Sequence, residues 1–511
     1  MKRTLKFISL LLTSVILFSS CAKKDDDTKE SSKKEKTEVE KEEIDEEEET
    51  TATDESEDTI DRSLSIKDQI LSLDGVVGIK ELGYFSYGME KASNFLITFE
   101  QPLDWNDPSK GTFEQRVQYV YLGSDSTEFN IGGYNLNSED YLAYGPEFGI
   151  LMGDRESNYI APEYRFYGES KPEDLDFKKA DYWEYLTNYN AACDFHHIAT
   201  QLKRINSDDW IMTGGSKGGS AVLLQAMYFP EDAEVYMSVV APYCNGQQDD
   251  RYYKKIYESI GNESYGEGYA SECRDLILEF QVEAIKNRYA LQPQYIQIAE
   301  EYGIEFDDYI TPEVFYDVAV LEVATYFWQY DQDFDLLKDL LGVKSSMNYF
   351  SDMLNILLTA SPPYNWDKNS IVYPYFVQSM KEFGFHSFDF SYLRSALEKD
   401  GEGEGLAVTE DMEDMLFFKM VLYPEVYDSL TYDGSDRAKL TSWLDTTDTN
   451  IVFLYAAKDV WYEMRLPDPP EKKNFLTIID YDFSHMNLYL VLNAQDKMSV
   501  TNFIDDALKD S

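Results

Sequence analysis

The run Gly214-Gly215-Ser216-Lys217-Gly218-Gly219 constrains the fold of this chain more than any other feature. It is a G-x-S-x-G segment. It follows Trp210-Ile211-Met212-Thr213, which reads as a strand, and precedes Ser220–Tyr228, whose apolar residues have helical spacing. A serine framed by glycines between strand and helix suits a strained turn. The glycines let the two elements pack closely, and the serine hydroxyl stands exposed above the sheet edge. The Lys217 N–H then lies at a helix N-terminus, where backbone donors lack an intrahelical acceptor. Ser216 is therefore a candidate nucleophile, and the competing reading is a plain Gly-rich turn or a phosphate-cradling loop.

The surrounding pattern alternates. Strands are expected at 94–99, 115–122, 128–131, 158–161 and 234–241, with a helix over 182–204. From about 245 to 448 helical periodicity dominates, for example over 271–289, 313–327 and 371–383. Turn clusters interrupt it at Ser361-Pro362-Pro363 and Gly401-Glu402-Gly403-Glu404-Gly405. Strands return at 450–455 and 475–479, and a last helix is expected from near Met486. This order predicts an α/β parallel sheet in two parts, 63–244 and 449–511, with a helical lid at 245–448 inserted between them.

A nucleophilic serine needs a base, and the chain has only 4 His. His485 follows the last strand, where an α/β-hydrolase places its base in the order Ser, acid, His. Asp459 follows the penultimate strand and is the candidate acid, to hold the His485 tautomer and stabilise the imidazolium. Glu463, Asp480 and Asp482 are its neighbours and competitors. His196 and His197 are adjacent in a helical stretch and point about 100° apart, so one helix cannot turn both to one metal. They and His386 read as structural. The Lys217 N–H and the Gly133–Tyr134 loop are the expected oxyanion donors, the glycine allowing close backbone approach. There is no H-E-x-x-H, no C-x-x-C pair and no G-x-G-x-x-G after a strand, so no metal and no cofactor are expected.

The charge balance narrows the partners. With 45 Lys+Arg against 96 Asp+Glu the formal charge is −51, which excludes binding nucleic acid by phosphate neutralisation. Residues 1–20 carry a basic start and a 14-residue apolar stretch, too short to span a bilayer, and read as a signal peptide. The stretch ends Leu17-Phe18-Ser19-Ser20-Cys21, which resembles a bacterial lipobox with Cys21 as the lipidated residue. Residues 21–62 are expected to be a disordered acidic tether. Their 22–62 portion has no aromatic residue and carries 8 basic against 19 acidic side chains, so it cannot offset its ordering entropy by burial. The expected location is a cell membrane, held by the lipid alone and facing away from the cytoplasm. Cys193, Cys244 and Cys273 remain, and a Cys244–Cys273 bridge is left open.

Several segments together resemble the secreted bacterial tripeptidyl aminopeptidases of serine-peptidase family 37. They are Phe99–Asp104 followed by Gly111–Arg116, Glu163-Tyr164-Arg165-Phe166-Tyr167-Gly168-Glu169-Ser170, Thr213–Gly219, Phe229-Pro230-Glu231-Asp232 and Tyr375-Phe376-Val377-Gln378. Two positions depart from that pattern: Trp105 and Tyr164 stand where the family usually has His. The resemblance implies an α/β-hydrolase fold, a Ser-His-Asp serine peptidase under a helical lid, and oligopeptide substrates from whose free N-termini tripeptides are released. An enzyme of that kind must hold a substrate ammonium, and Glu163 is the candidate carboxylate. A lipid-anchored esterase with the same triad and a non-enzymatic peptide-binding surface lipoprotein remain as alternatives.

Overall fold

The computed structural model describes residues 60–510, apart from short segments at 88–89, 148, 152–154, 173–175, 208, 402–404, 467–470 and 486–491. The signal peptide, Cys21 and nearly all of the expected tether lie outside the described residues.

Eleven strands are described: β1 (Val76–Tyr87), β2 (Glu90–Pro102), β3 (Thr112–Tyr121), β4 (Ser126–Asn130), β5 (Asn158–Pro162), β6 (Asp209–Gly215), β7 (Val235–Val239), β8 (Gln248–Asp249), β9 (Phe385–His386), β10 (Asn450–Ala456) and β11 (Phe475–Asp480). Nine of them form one sheet in the order β1-β2-β3-β5-β4-β6-β7-β10-β11. β1, β2 and β3 pair antiparallel, and β3 joins β5 antiparallel. From β5 to β11 every pairing is parallel. This is the α/β-hydrolase architecture.

Burial explains the two halves. β4, β5 and β7 are buried along their whole length, as strands covered on both faces must be. In β6, Trp210 and Met212 face one apolar layer with Phe195 and Val222, while Ile211 faces the other with Val500 and Ile504. Helices Asn188–Lys203 and Lys217–Tyr228 supply the first layer, and helix Ala494–Asp510 the second. By contrast, β3 alternates exposed and buried residues at its start, as expected of an antiparallel ribbon wetted on one face.

Strand order also locates a crevice. After β4 the chain adds β5 on one side of it, then returns to lay β6 on the other. The loops leaving β4 and β6 therefore diverge, and the gap between them, beyond the carboxyl ends of the strands, is where open α/β sheets hold ligands. Gly132–Tyr134 and Ser216 sit on those two loops.

Between β7 and β10 the chain is mainly helical, from Arg251–Glu258 to Ser435–Thr446. The last of these helices covers β10, with Leu440 and Leu444 against Ile451 and Phe453. Lid side chains such as Phe280, Tyr295 and Trp328 belong to the same apolar cluster as Phe129 and Trp210, so lid and core are packed together. Several expected boundaries shift. The 182–204 helix is a short 3-10 turn, Ala180–Trp183, followed by a helix that restarts at Asn188, where the Thr187 side chain caps the Asn190 N–H. The 271–289 helix is two, Glu267–Lys286 and Arg288–Glu301. The described part of the last helix is Ala494–Asp510, and the expected start near Met486 lies outside the described residues. All three remaining cysteines are buried and free, so Cys244 and Cys273 form no bridge.

Candidate active site

Ser216 sits between β6 and the helix Lys217–Tyr228 with φ 55° and ψ −125°. A non-glycine residue rarely holds that backbone, and the strain is of order 1–3 kcal/mol. Its neighbours are glycine for a steric reason. A β-carbon at Gly218 would strike the Ile131 carbonyl, and one at Gly133 would lie 2.8 Å from the Gly218 nitrogen. Gly133, at φ 85°, lets the loop after β4 lie directly against the first turn of the helix.

The structure brings Ser216, His485 and Asp459 together from three strand ends. Ser216 Oγ is 2.9 Å from His485 Nε2. His485 Nδ1 is 2.7 Å from Asp459 Oδ2, with both side chains almost fully buried. A carboxylate can only accept, so Nδ1 carries the proton and Nε2 is left to accept from the serine. The second Asp459 oxygen accepts the Trp461 N–H at 2.9 Å, which fixes the carboxylate plane. The competing carboxylates are used elsewhere: Asp480 accepts the Asp482 and Phe483 amides, and Glu463 pairs with Lys255 at 3.5 Å.

Tyr134 contributes more than its backbone. Its phenol lies beside the Ser216 hydroxyl, and burial holds its pKa above the ordinary tyrosine value. Nothing in the sequence but its place after Gly132-Gly133 pointed to that contact. The Lys217 side chain turns inward. Its amine donates to the Gly133 carbonyl at 2.6 Å and lies 3.3 Å from the Tyr164 ring centre, with Tyr134, Tyr167 and Phe383 around it. Burial pushes this amine well below the usual lysine range, while the ring faces and the carbonyl favour its charged form. Either way one short bond ties the loop after β4 to the residue after the candidate nucleophile. Tyr164, one of the two departures, thus forms a wall of the lysine cage. Trp105, the other, donates Nε1–H to Asp194 at 2.8 Å.

Glu163 does not face a substrate, and this corrects the expectation. Its side chain is fully buried and accepts from Arg116 at 2.9 and 2.5 Å, from the Leu136, Glu169 and Ser170 amides, and from the Ser170 hydroxyl at 2.6 Å. No oxygen is left for an ammonium. Arg165, two residues on, pairs with Asp194 in a fully buried bridge. The other histidines also have structural partners. His196 contacts Asp232, His197 contacts Gln101, and His386 stacks on Tyr252.

Residues 59–391 match the family model of the PS-10 peptidase S37. The chain belongs to that family. It is a serine peptidase, and the match covers Ser216, while Asp459 and His485 lie beyond it and come in through the fold. A prolyl tri/tetrapeptidyl aminopeptidase of Streptomyces mobaraensis is 25% identical over 415 residues, 80% of this chain and 78% of that protein. Among solved structures, a proline iminopeptidase of Mycobacterium smegmatis aligns over 80% of this chain and 98% of its own at TM-score 0.35 and 12% identity. An esterase of Pyrococcus furiosus aligns over 80% and 92% at TM-score 0.31 and 9% identity. Both TM-scores are too low to carry a functional comparison.

Proposed function

We propose that this serine peptidase is an aminopeptidase that releases short peptides, tripeptides foremost, from the free N-termini of oligopeptides. The observation that carries the reading is the hydrogen-bonded chain Ser216–His485–Asp459 at the crevice of the sheet, with Ser216 held in a strained turn. His485 takes the Ser216 proton as Oγ attacks the peptide carbonyl. The Lys217 N–H, an N–H of Gly133 or Tyr134, and the Tyr134 phenol are placed to receive the oxyanion. His485 then gives its proton to the leaving amine. A water, activated by the same histidine, releases the acyl group and restores Ser216. Asp459 stays ionised and holds the ring.

The N-terminal specificity is supported by the similarity to the Streptomyces aminopeptidase and by Phe383, from the segment between β7 and β10, which lies beside Lys217. The lipid anchor at Cys21 rests on the lipobox-like sequence. The experiment compares an unblocked tripeptidyl anilide with its N-acetylated twin, with Ser216→Ala as the control. Cleavage of the free-amine substrate alone, lost in the variant, is the expected result. Equal cleavage of both would remove the aminopeptidase reading, and cleavage of acyl esters only would favour the esterase.

A further inference from the structure

An enzyme that counts residues from a free N-terminus must recognise an ammonium group, and Glu163 is unavailable for it. We infer that Glu322, in the lid, is the carboxylate that receives the α-ammonium of the peptide substrate. This rests on the aminopeptidase reading above.

Glu322 stands at the junction of helices Pro312–Leu321 and Val323–Gln329. Its carboxylate accepts the Tyr253 phenol at 2.5 Å, and Thr325 stands one helical turn further on. Among the described residues it makes no ion pair, so this withdrawn carboxylate holds a phenol donor and no cation. A carboxylate in that position is costly unless charge is supplied to it, and a bound ammonium supplies it.

Position supports the same assignment. Tyr252 donates to Thr325 at 3.2 Å, and its phenol feels the charges of both Glu322 and Asp459. Tyr252 packs on Trp461, whose N–H the Asp459 carboxylate accepts, so these two residues link the lid to the acid of the triad. Trp461, two residues beyond Asp459, packs on Tyr252 and reaches Gln329 of the lid. Tyr134, Ser216, Glu322, Gln329, Tyr330 and Trp461 are all half-buried, so each keeps part of its surface accessible. Three extended residues span about 10 Å, the reach of a tripeptide from its scissile carbonyl to its amine. Longer substrates would leave by the opposite side of the serine, where the chain beyond the cut bond needs no counting device.

Burial raises the Glu322 carboxyl to about 7. The groups that face it do not compete for charge. Tyr252, Tyr253, Tyr257 and Tyr295 are phenols held above their ordinary range, and His386, stacked on Tyr252, is pushed down to about 3 and stays neutral.

The test measures kcat and KM of the full chain for the free and N-acetylated tripeptidyl anilides, with fluorophosphonate labelling of Ser216 to show that the site is assembled. In Glu322→Gln the free-amine substrate should lose about 30-fold or more in kcat/KM, mostly through KM. The acetylated twin should change little, and labelling should persist. Should that variant fail to label, Thr325→Lys serves, because a resident ammonium beside Glu322 should erase the free-amine preference equally. Retention of the preference in either labelled variant overturns the anchor while leaving the aminopeptidase intact. A wild-type enzyme with no free-amine preference overturns both.

Discussion

Glu163, just beyond the end of β5, and Glu322, in the lid, are both carboxylates drawn away from bulk water, and their surroundings differ in kind. Glu163 has a guanidinium, three amides and a hydroxyl, so every acceptor site is filled by the protein itself. Glu322 has a single phenol donor and stays partly accessible. The first arrangement fixes backbone: Glu163 ties β3, the loop after Tyr134 and the turn at Ser170 into one unit. The second leaves a charge to be matched from outside. Burial of a carboxylate is thus no guide to function until its partners are counted.

That contrast can be broken at several points, the largest effect first. Ser216→Ala should abolish peptide cleavage by a factor of at least ~10⁴ while leaving the unfolding midpoint nearly unchanged, read by anilide hydrolysis and urea denaturation. Cleavage that survives would move the chemistry elsewhere. Glu163→Gln should behave in the opposite way. It leaves Arg116 with a weakened partner and should cost about 3 kcal/mol of stability by urea denaturation, with kcat per folded molecule changed less than severalfold. Selective loss of the free-amine substrate in that variant would return the anchor role to Glu163.

The two carboxylates should also differ in pH. Glu322, raised to about 7, is neutral below that value and charged above it. The kcat/KM ratio of free to acetylated substrate should therefore fall about tenfold per pH unit below 7. It should fall again above roughly pH 8, where the substrate amine loses its proton. The triad serves both substrates, so its own contribution cancels in the ratio. A ratio that stays flat from pH 5 to 7 would contradict the anchor. The smallest expected effect is at Lys217, whose amine holds the Gly133 carbonyl. Lys217→Met should lower kcat about tenfold with little change in KM, since the donor loop loses its tether while substrate contacts persist. A larger change in KM than in kcat would place Lys217 against the substrate instead.

The core half of the site was legible in the sequence because it is local. The Ser216 turn announces itself by its glycines, and Asp459 and His485 follow strands whose apolar runs are plain. β1 escaped notice because Gly78, Lys80, Glu81 and Gly83 break its alternation, and its pairing with β2 is irregular at the same places. The lid half was hidden for another reason. Glu322 lies in an apolar-periodic stretch that reads as one helix over 313–327, and its role depends on phenols some 70 residues earlier in the chain. Likewise, only the fold shows that Glu163 is met by Arg116, 47 residues earlier. Partnership across the sheet decides what a carboxylate does, and spacing along the chain does not record it.

The account turns on an acyl-enzyme formed at Ser216 by a peptide with a free N-terminus. Rapid quenching of the full chain with an unblocked tripeptide nitrophenyl ester, followed by mass spectrometry of the peptide containing Ser216, tests it most directly. The expected result is a tripeptidyl adduct on Ser216, absent in Ser216→Ala and at least tenfold weaker with the acetylated ester. An adduct on another residue, or equal acylation by both esters, would contradict it.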